Sequence, residues 1–344
     1  VRLDLPPVLG AEDPLRYRNK VQFPVSQGRR GLSIGYYRPR SHDVLDTPDC
    51  PLQPEAVTRL RGAFKTWMEE HAIPAYDETT GKGLVRHLYV RTNSRGESLV
   101  CVVANGEILP HSDTLVKALR RSHPGLAGVV LNINTRGTNV ILGDRFVALW
   151  GQDWLEEELC QLSFRLSVPS FFQVNLAQTQ RLYQTALELA QLSGSETVLD
   201  LYCGIGTISL ALARRAARVI GAEIVPRAIE DAKENATRNG VSNAEFFCGD
   251  AGAVARRLAE EGIRPQVICV DPPRKGLAPE VPAILAAMGP ERIVYVSCDP
   301  ATLARDVDRF SRLGYRAVRA RGIDLFPRTA HVETAMLLEQ NSAL

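Results

Sequence analysis

From about Pro169 onward the chain alternates short apolar runs with stretches that carry apolar residues at helical spacing. No other feature limits its folding so strongly. Leu176 to Leu192 reads as a helix, Thr197 to Tyr202 as a strand, Ile208 to Ala217 as a helix, Arg218 to Glu223 as a strand and Pro226 to Asn239 as a helix. Glu245 to Asp250, Val267 to Asp271 and Arg292 to Cys298 continue the pattern as apolar runs between helices. Strands that reach their parallel neighbours through helices are covered on both faces, so the alternation predicts a doubly wound parallel sheet. The end departs from it. Tyr315 to Phe326 and His331 to Glu339 read as two strands joined by a short turn at Pro327-Arg-Thr, with no helix between. That predicts an antiparallel pair at the edge of the sheet.

The first half has a different grammar. Lys20 to Val25 and Leu32 to Tyr37 flank Gln27-Gly-Arg-Arg-Gly31 and predict a hairpin with a basic tip. Helical stretches at Glu55–His71 and Asp113–Ser122 accompany strands near Val85–Thr92, Ser98–Ala104 and Gly128–Asn134. At 344 residues the chain is long for one core. Two domains are therefore expected: an α+β domain over 1–165, with 1–14 free to pack elsewhere, and an α/β domain over 166–344. A formal net charge of only +2 makes any nucleic-acid surface a local patch. No apolar run approaches the roughly 20 residues of a membrane span, and no signal-peptide core stands at the N-terminus. A cytoplasmic protein without membrane partners is expected. The seven cysteines, at 50, 101, 160, 203, 248, 269 and 298, are odd in number and scattered. That favours reduced thiols over disulfides, and the lack of any CxxC pair argues against a self-contained zinc site. The chain opens on Val1 rather than Met, as a fragment or a chain begun at an alternative start codon would.

The strand ending at Tyr202 runs into Cys203-Gly-Ile-Gly-Thr207, a turn able to hold a nucleotide. Alone it is a weak signal. The dinucleotide fingerprint needs a third glycine for close helix packing, and Ser209 stands there instead, which disfavours a dehydrogenase. Asp200, Glu223 and Asp250 stand at three successive strand ends. An acidic residue there also serves as a helix cap, and for any one of them the two readings balance; three in succession favour a ligand. Glu223 suits ribose hydroxyls and Asp250 an adenine amino group. Cys298, just past an apolar strand, with Glu333 downstream, reads as a covalent nucleophile and its proton acceptor. A buried inert thiol is the commoner fate of an intracellular cysteine, but the helix beginning near Ala301 would lend Cys298 thiolate character from its N-terminus. Cys203 is the rival nucleophile, and its place in the glycine turn assigns it a structural role.

Asp271-Pro-Pro-Arg-Lys-Gly276, Val296-Ser-Cys298-Asp-Pro-Ala-Thr302 and Asp324-Leu-Phe-Pro-Arg-Thr-Ala-His-Val-Glu333 carry a resemblance. Together with Val198–Thr207 they resemble the RNA uracil-5-methyltransferase family, closest to its 23S ribosomal RNA members. The likeness covers nearly all of this chain but only the later part of a full-length relative. It implies an α/β, Rossmann-like S-adenosyl-L-methionine-dependent methyltransferase fold behind an N-terminal α+β substrate-binding domain; the terminal antiparallel pair is the layout of that class. It implies methylation of carbon 5 of a uridine in 23S ribosomal RNA through a covalent adduct at carbon 6, with Cys298 as nucleophile and Glu333 as proton acceptor. Gln173, Tyr202, Thr207, Glu223, Asp250 and Asp271 match the family's cofactor positions, Thr207 standing where several relatives carry Asn. Asp299 follows the cysteine where Asn is usual, and Arg328 replaces a Gln or His. Asp299 is expected to raise the thiol pKa by like charge. Cys50-Pro51 matches the last of four cysteine ligands of the ribosomal members' iron–sulfur cluster. No cysteine precedes Cys50, so a cluster is not expected in this chain, nor is the small N-terminal β-barrel of many relatives.

A uracil ring inside folded RNA is hidden, so the target must be single-stranded or flipped out. Arg16, Arg18 and Lys20, Arg38 and Arg40 beside Tyr36, and Arg274 interleave with aromatic residues and are predicted to contact RNA, the runs Arg16–Lys20 and Tyr36–Arg40 from neighbouring strands of the expected hairpin. Arg29-Arg30 reads equally well as a solvated face. Cys50-Pro51 favours ribosomal RNA as partner, with transfer RNA as the alternative. A non-catalytic RNA-binding protein with a methyltransferase fold is the alternative of another class, and the presence of both Cys298 and Glu333 counts against it. A monomer is expected.

Overall fold

The computed structural model describes residues 3–28 and 31–341, so Val1 and the Arg29-Arg30 tip lie outside the described residues. The chain divides into two compact units, and not by a single cut at 165. One unit takes Asp13–Glu157 and Leu166–Pro169; the other takes the described residues up to Glu12, then Glu158–Arg165 and everything from Ser170.

The first unit holds β1 (Lys20–Gly28), β2 (Gly31–Tyr37), β3 (Val44–Asp46), α1 (Glu55–Glu70), β4 (Val85–Thr92), β5 (Ser98–Ala104), α2 (Ser112–Ser122), β6 (Leu126–Ile133) and β7 (Arg145–Gly151). Its sheet runs β3-β2-β1-β4-β5-β6-β7. All neighbours are antiparallel except β5 and β6, which α2 joins as a parallel crossover. α1 forms because Val57, Leu60, Phe64, Trp67 and Met68 recur every three or four residues, and that stripe is buried on the sheet with Phe23, Leu88 and Val102. The other face carries a smaller core around Tyr89, Cys101, Leu155 and Val168. Every residue of β4 and β5 is therefore buried. A hairpin of β8 (Trp154–Leu159) and β9 (Leu162–Ser167) follows. Its two turn residues, Cys160 and Gln161, both have φ near +54° to +60°, the geometry whose twist matches that of the flanking strands.

The second unit alternates α3 (Leu176–Ala190), β10 (Thr197–Leu201), α4 (Thr207–Ala213), β11 (Arg218–Glu223), α5 (Pro226–Arg238), β12 (Ala244–Cys248), α6 (Ala251–Glu260), β13 (Val267–Val270), α7 (Val281–Ala287), β14 (Arg292–Ser297) and α8 (Pro300–Arg312). β15 (Tyr315–Ile323) and β16 (Glu333–Gln340) end it. The sheet order is β12-β11-β10-β13-β14-β16-β15, parallel except for the antiparallel β16 and its partners. Alternate residues Leu199 and Leu201, Ile220 and Ala222, Ile268 and Val270, Ile293 and Tyr295 point into one core with α6, α7 and α8. The strand order reverses between β10 and β13, which opens a crevice at the carboxyl edge.

Two sequence expectations need correction. The last two strands are not joined by a three-residue turn: β15 stops at Ile323, β16 starts at Glu333, and 324–332 form a longer connection. Asn175 Nδ2 donates to Leu325 O at 3.1 Å, and Gln178 Nε2 donates to Asp324 O at 3.0 Å. These buried amides take the carbonyls of Asp324 and Leu325, and the β15–β16 ladder ends at Ile323 opposite Glu333. Apart from Lys20, which opens β1, the basic residues of the two runs are not on the hairpin strands either. Arg16 and Arg18 precede β1 and lie along Pro51 and Leu52 through backbone bonds, and Arg38 to Arg40 follow β2 in a turn.

Candidate active site

β14 delivers Cys298 to the carboxyl edge, and Asp299 ends the strand by capping α8, its Oδ1 accepting from Ala301 N at 2.9 Å and Thr302 N at 3.0 Å. Pro300 at the first helical position completes the stop. β16 runs back beside β14 with Ser297 opposite Thr334. Cys298 and Glu333 directly adjoin that last pair, one on each strand, and the Glu333 carboxylate acts on the Cys298 thiol. The antiparallel return of one strand thus brings together the two groups that the sequence proposes as nucleophile and base.

Their electrostatics differ from the expectation for the thiol. Burial pushes Cys298 up from 9.0, and the Glu333 and Asp271 carboxylates push it further, against the opposing pull of Arg274. The start of α8 does not win because Asp299 already satisfies its first free N–H groups. Asp299, held below the usual carboxylate value mainly by the Thr302 N–H, is not the source of the shift. Glu333 is 2% exposed, and burial raises its carboxyl from 4.5 to about 7, again opposed by Arg274. Asp271 is driven well above its ordinary value by burial, then by Glu333 and Asp200. Arg274 was read from the sequence as an RNA contact. Its guanidinium acts on both Cys298 and Glu333, and Nη2 lies 3.5 Å from His331 Nε2.

Apart from Gln173, which precedes α3, the cofactor candidates stand at or just past the carboxyl ends of β10, β11, β12 and β13. Tyr202, a non-glycine residue at φ +67°, turns the chain out of β10, and Gly206 follows at φ +83°. A Cβ on Gly206 would also press on Phe246 at 3.2 Å, so only glycine fits. Glu223 braces this turn: Oε2 accepts from Gly204 N at 3.2 Å and Oε1 from Val225 N at 3.0 Å. Each oxygen keeps a further lone pair for a hydroxyl donor. Thr207 shares a 3.0 Å hydroxyl bond with buried Tyr183. Gln173 is buried ahead of α3, whose cap is Asn175. Asp250 caps α6, accepting from Ala253 N at 3.1 Å, so both readings of a strand-end acid apply to one residue. Ser209, seen in the sequence only as a missing glycine, donates to Asp200 Oδ2 at 2.5 Å. Asp200 Oδ1 is buried with no hydrogen-bond partner among the described residues, and burial raises this carboxyl to about 7. An orphaned buried acceptor beside a braced glycine turn and three edge carboxylates suits a nucleoside with hydroxyl and amino donors. Cys203 is buried and its thiol is pushed well above 9.0, by burial foremost, which fits a structural thiol.

In the other unit the basic residues divide. Arg16 is committed internally, donating to Asp49 Oδ1 at 2.8 Å, Cys50 O at 3.0 Å and Gln53 O at 2.9 Å. Lys20 stands opposite Arg91 in the ladder, and burial with that neighbour lowers it to about 8. Arg18 is half-buried, while Arg38 and Arg40 are exposed. Cys50 is half-buried, and among the described residues no group of three or more His, Cys, Asp or Glu could hold a metal.

A family model described as tRNA (Uracil-5-)-methyltransferase matches residues 128–341. An uncharacterized RNA methyltransferase of Clostridium acetobutylicum is 44% identical over 333 residues, covering 96% of this chain and 72% of that protein. One from Halalkalibacterium halodurans is 44% identical over 334 residues, covering 97% and 73%. The crystal structure of Pyrococcus abyssi tRNA (uracil-54, C5)-methyltransferase in complex with S-adenosyl-L-homocysteine superposes with a TM-score of 0.80 at 28% identity, covering 96% of this chain and 78% of that one.

Proposed function

Because this chain belongs to the tRNA (Uracil-5-)-methyltransferase family, we propose that it methylates carbon 5 of a uridine in RNA, with Cys298 as nucleophile and Glu333 as base. The observation that supports this reading is the β14–β16 ladder, whose last pair, Ser297 and Thr334, directly adjoins Cys298 and Glu333 at the carboxyl edge that the glycine turn after β10 also reaches. S-adenosyl-L-methionine, when bound, supplies a methyl carbon on sulfonium. We assign Gln173, Tyr202, Thr207, Glu223, Asp250 and Asp271 to hold it, Glu223 on the ribose and Asp250 on the adenine amino group.

Carbon 5 of uracil is a weak nucleophile, and the chain's residues must activate it. Attack of Cys298 as the thiolate forms a sulfur bond to carbon 6 and moves the ring's π electrons toward the carbon 4 carbonyl, so that carbon 5 becomes enolate-like. Once carbon 5 carries the methyl group, Glu333 takes its remaining proton. The released electron pair re-forms the 5,6 double bond as the sulfur–carbon bond breaks, and Cys298 leaves as thiolate. A carboxyl held at about 7 is matched to this step, being able both to take and to give up a proton near neutrality. Arg274 offsets the charge that two carboxylates and a thiolate would otherwise crowd together.

We assign ribosomal RNA as the substrate on the strength of Cys50-Pro51. The family description and the archaeal relative's transfer-RNA specificity favour the second reading, transfer RNA. Exposed Arg38 and Arg40 are assigned to phosphate contacts. Nucleoside mapping of RNA from cells lacking the gene tests the whole proposal. The reading requires loss of 5-methyluridine at a 23S position, restored by the wild type and not by Cys298→Ala. Loss confined to transfer RNA would move the substrate, and no loss from either RNA would refute the activity.

A further inference from the structure

Asp306, on α8, is a charged side chain with 0% exposure. A carboxylate so far from water is costly unless fully paired, and its partners come from the loop before α7, from β14 and from α8 itself. Oδ2 accepts from Leu277 N at 2.9 Å and from the Tyr295 hydroxyl at 2.8 Å. Arg305 and Arg309 donate to Oδ1 at 3.0 and 2.9 Å. The same arginines reach the loop backbone, Arg305 Nη2 to Lys275 O at 2.8 Å and Arg309 Nη1 to Leu277 O at 3.3 Å. The Thr302 hydroxyl donates to Arg274 O at 3.2 Å. Thr302, Arg305, Asp306 and Arg309 share one face of α8, spaced at three and four residues. Gly276, at φ +72°, permits the grip: a Cβ there would meet Arg305 Nη2 at 2.4 Å and Asp306 Oδ2 at 2.5 Å.

The gripped loop is the one that carries Arg274. Cys298 faces Glu333 from β16, Asp271 from the end of β13 and Arg274 from this loop, and Arg274 is the cation acting on Cys298 and Glu333 alike. Asp299 and His331 also face Arg274. We propose that Asp306 is a positioning residue: with Thr302, Arg305 and Arg309 it clamps residues 274–277 to α8, and so fixes the Arg274 guanidinium against the nucleophile and base. α8 begins two residues after Cys298, so one rigid helix sets both the nucleophile and the cation that tunes it.

This inference rests on the assignment of Cys298 and Glu333, and its test is run without RNA so that the two fail separately. Iodoacetamide alkylation of Cys298 is followed against pH by mass spectrometry of its peptide. In Asp306→Asn the midpoint should rise by about one pH unit, since the opposite charge of Arg274 is no longer held beside the thiolate. Arg274→Gln should shift it in the same direction, and the double variant should shift it no further than Arg274→Gln alone. Thr302→Val, which removes one hydroxyl donor to the loop, should give a smaller rise and decides the matter if Asp306→Asn does not fold. A wild-type midpoint in a folded Asp306→Asn or in Thr302→Val, or a double variant whose shift is the sum of the singles, would overturn the clamp. Absence of 5-methyluridine formation by the wild type would instead remove the functional reading and leave the midpoint shifts intact.

Discussion

Replacing Glu333 by Gln should stabilise the second unit in mild alkali while it abolishes turnover. Glu333 is 2% exposed, and burial raises its carboxyl from 4.5 to about 7. An acid whose pKa is raised on folding contributes stability below its unfolded value, and that stability is lost as pH rises through the folded value. For Glu333 the window runs from 4.5 to about 7. At about 1.4 kcal/mol per pH unit, ionising it in the fold costs about 3 kcal/mol by about pH 8. At about pH 4.5 the wild-type group is still neutral in the fold, so a comparison there with the variant reports shape alone. The difference between the two pH values isolates ionisation. Hydrogen exchange of β14 and β16 amides, read as local opening free energy, measures it without assuming that both units unfold together. The variant should gain about 3 kcal/mol at about pH 8 relative to its effect at about pH 4.5. Relief of Asp271, whose carboxyl Glu333 also raises, adds to the gain. A gain under about 1 kcal/mol would mean that the ionised carboxylate is already well held, and would refute a base tuned by burial.

Three further outcomes follow from the site. Cys298→Ala should lose methyl transfer by at least about a thousandfold while calorimetry shows cofactor binding unchanged, and Cys203→Ala should keep most activity. Glu223→Ala frees the Gly204 and Val225 N–H groups as well as any ribose contact, so cofactor affinity should fall about ten- to a hundredfold in the same assay. Arg38→Ala should reduce the salt dependence of RNA binding by about one phosphate contact, whereas Arg16→Ala should lower thermal stability and leave the salt slope unchanged, because its guanidinium is spent on Asp49, Cys50 and Gln53.

The doubly wound sheet was legible because strand and helix periods alternate without interruption from Leu176 to Ser297, and a glycine turn after β10 marks its carboxyl edge. β7 was not legible: Arg145–Gly151 is half exposed along its length and shows no alternation of apolar residues. The hairpin turn at Cys160-Gln161 escaped because neither residue is a usual left-handed turn former. Within the site, residue types could be named, but the approach of Cys298 and Glu333 depends on the β14–β16 register, which a one-residue slip would undo. The thiol's environment was misjudged for a related reason. A helix start is visible next to Cys298 in the sequence, whereas burial, Asp271 and Glu333 arrive from elements distant in the chain and outweigh it. The commitment of Arg16 to the Asp49–Gln53 segment is likewise a tertiary fact with no local signature.

The proposed reaction requires that Cys298 bond to carbon 6 while carbon 5 receives the methyl group. Incubation with RNA containing 5-fluorouridine and S-adenosyl-L-methionine tests it most directly, because fluorine at carbon 5 leaves Glu333 no proton to remove and the adduct cannot resolve. Peptide mass spectrometry should find the Cys298 peptide joined to a methylated 5-fluorouridine, and no adduct in Cys298→Ala. An adduct that persists in Cys298→Ala and disappears in Cys203→Ala, or methylated RNA formed with no covalent complex at all, would contradict the account.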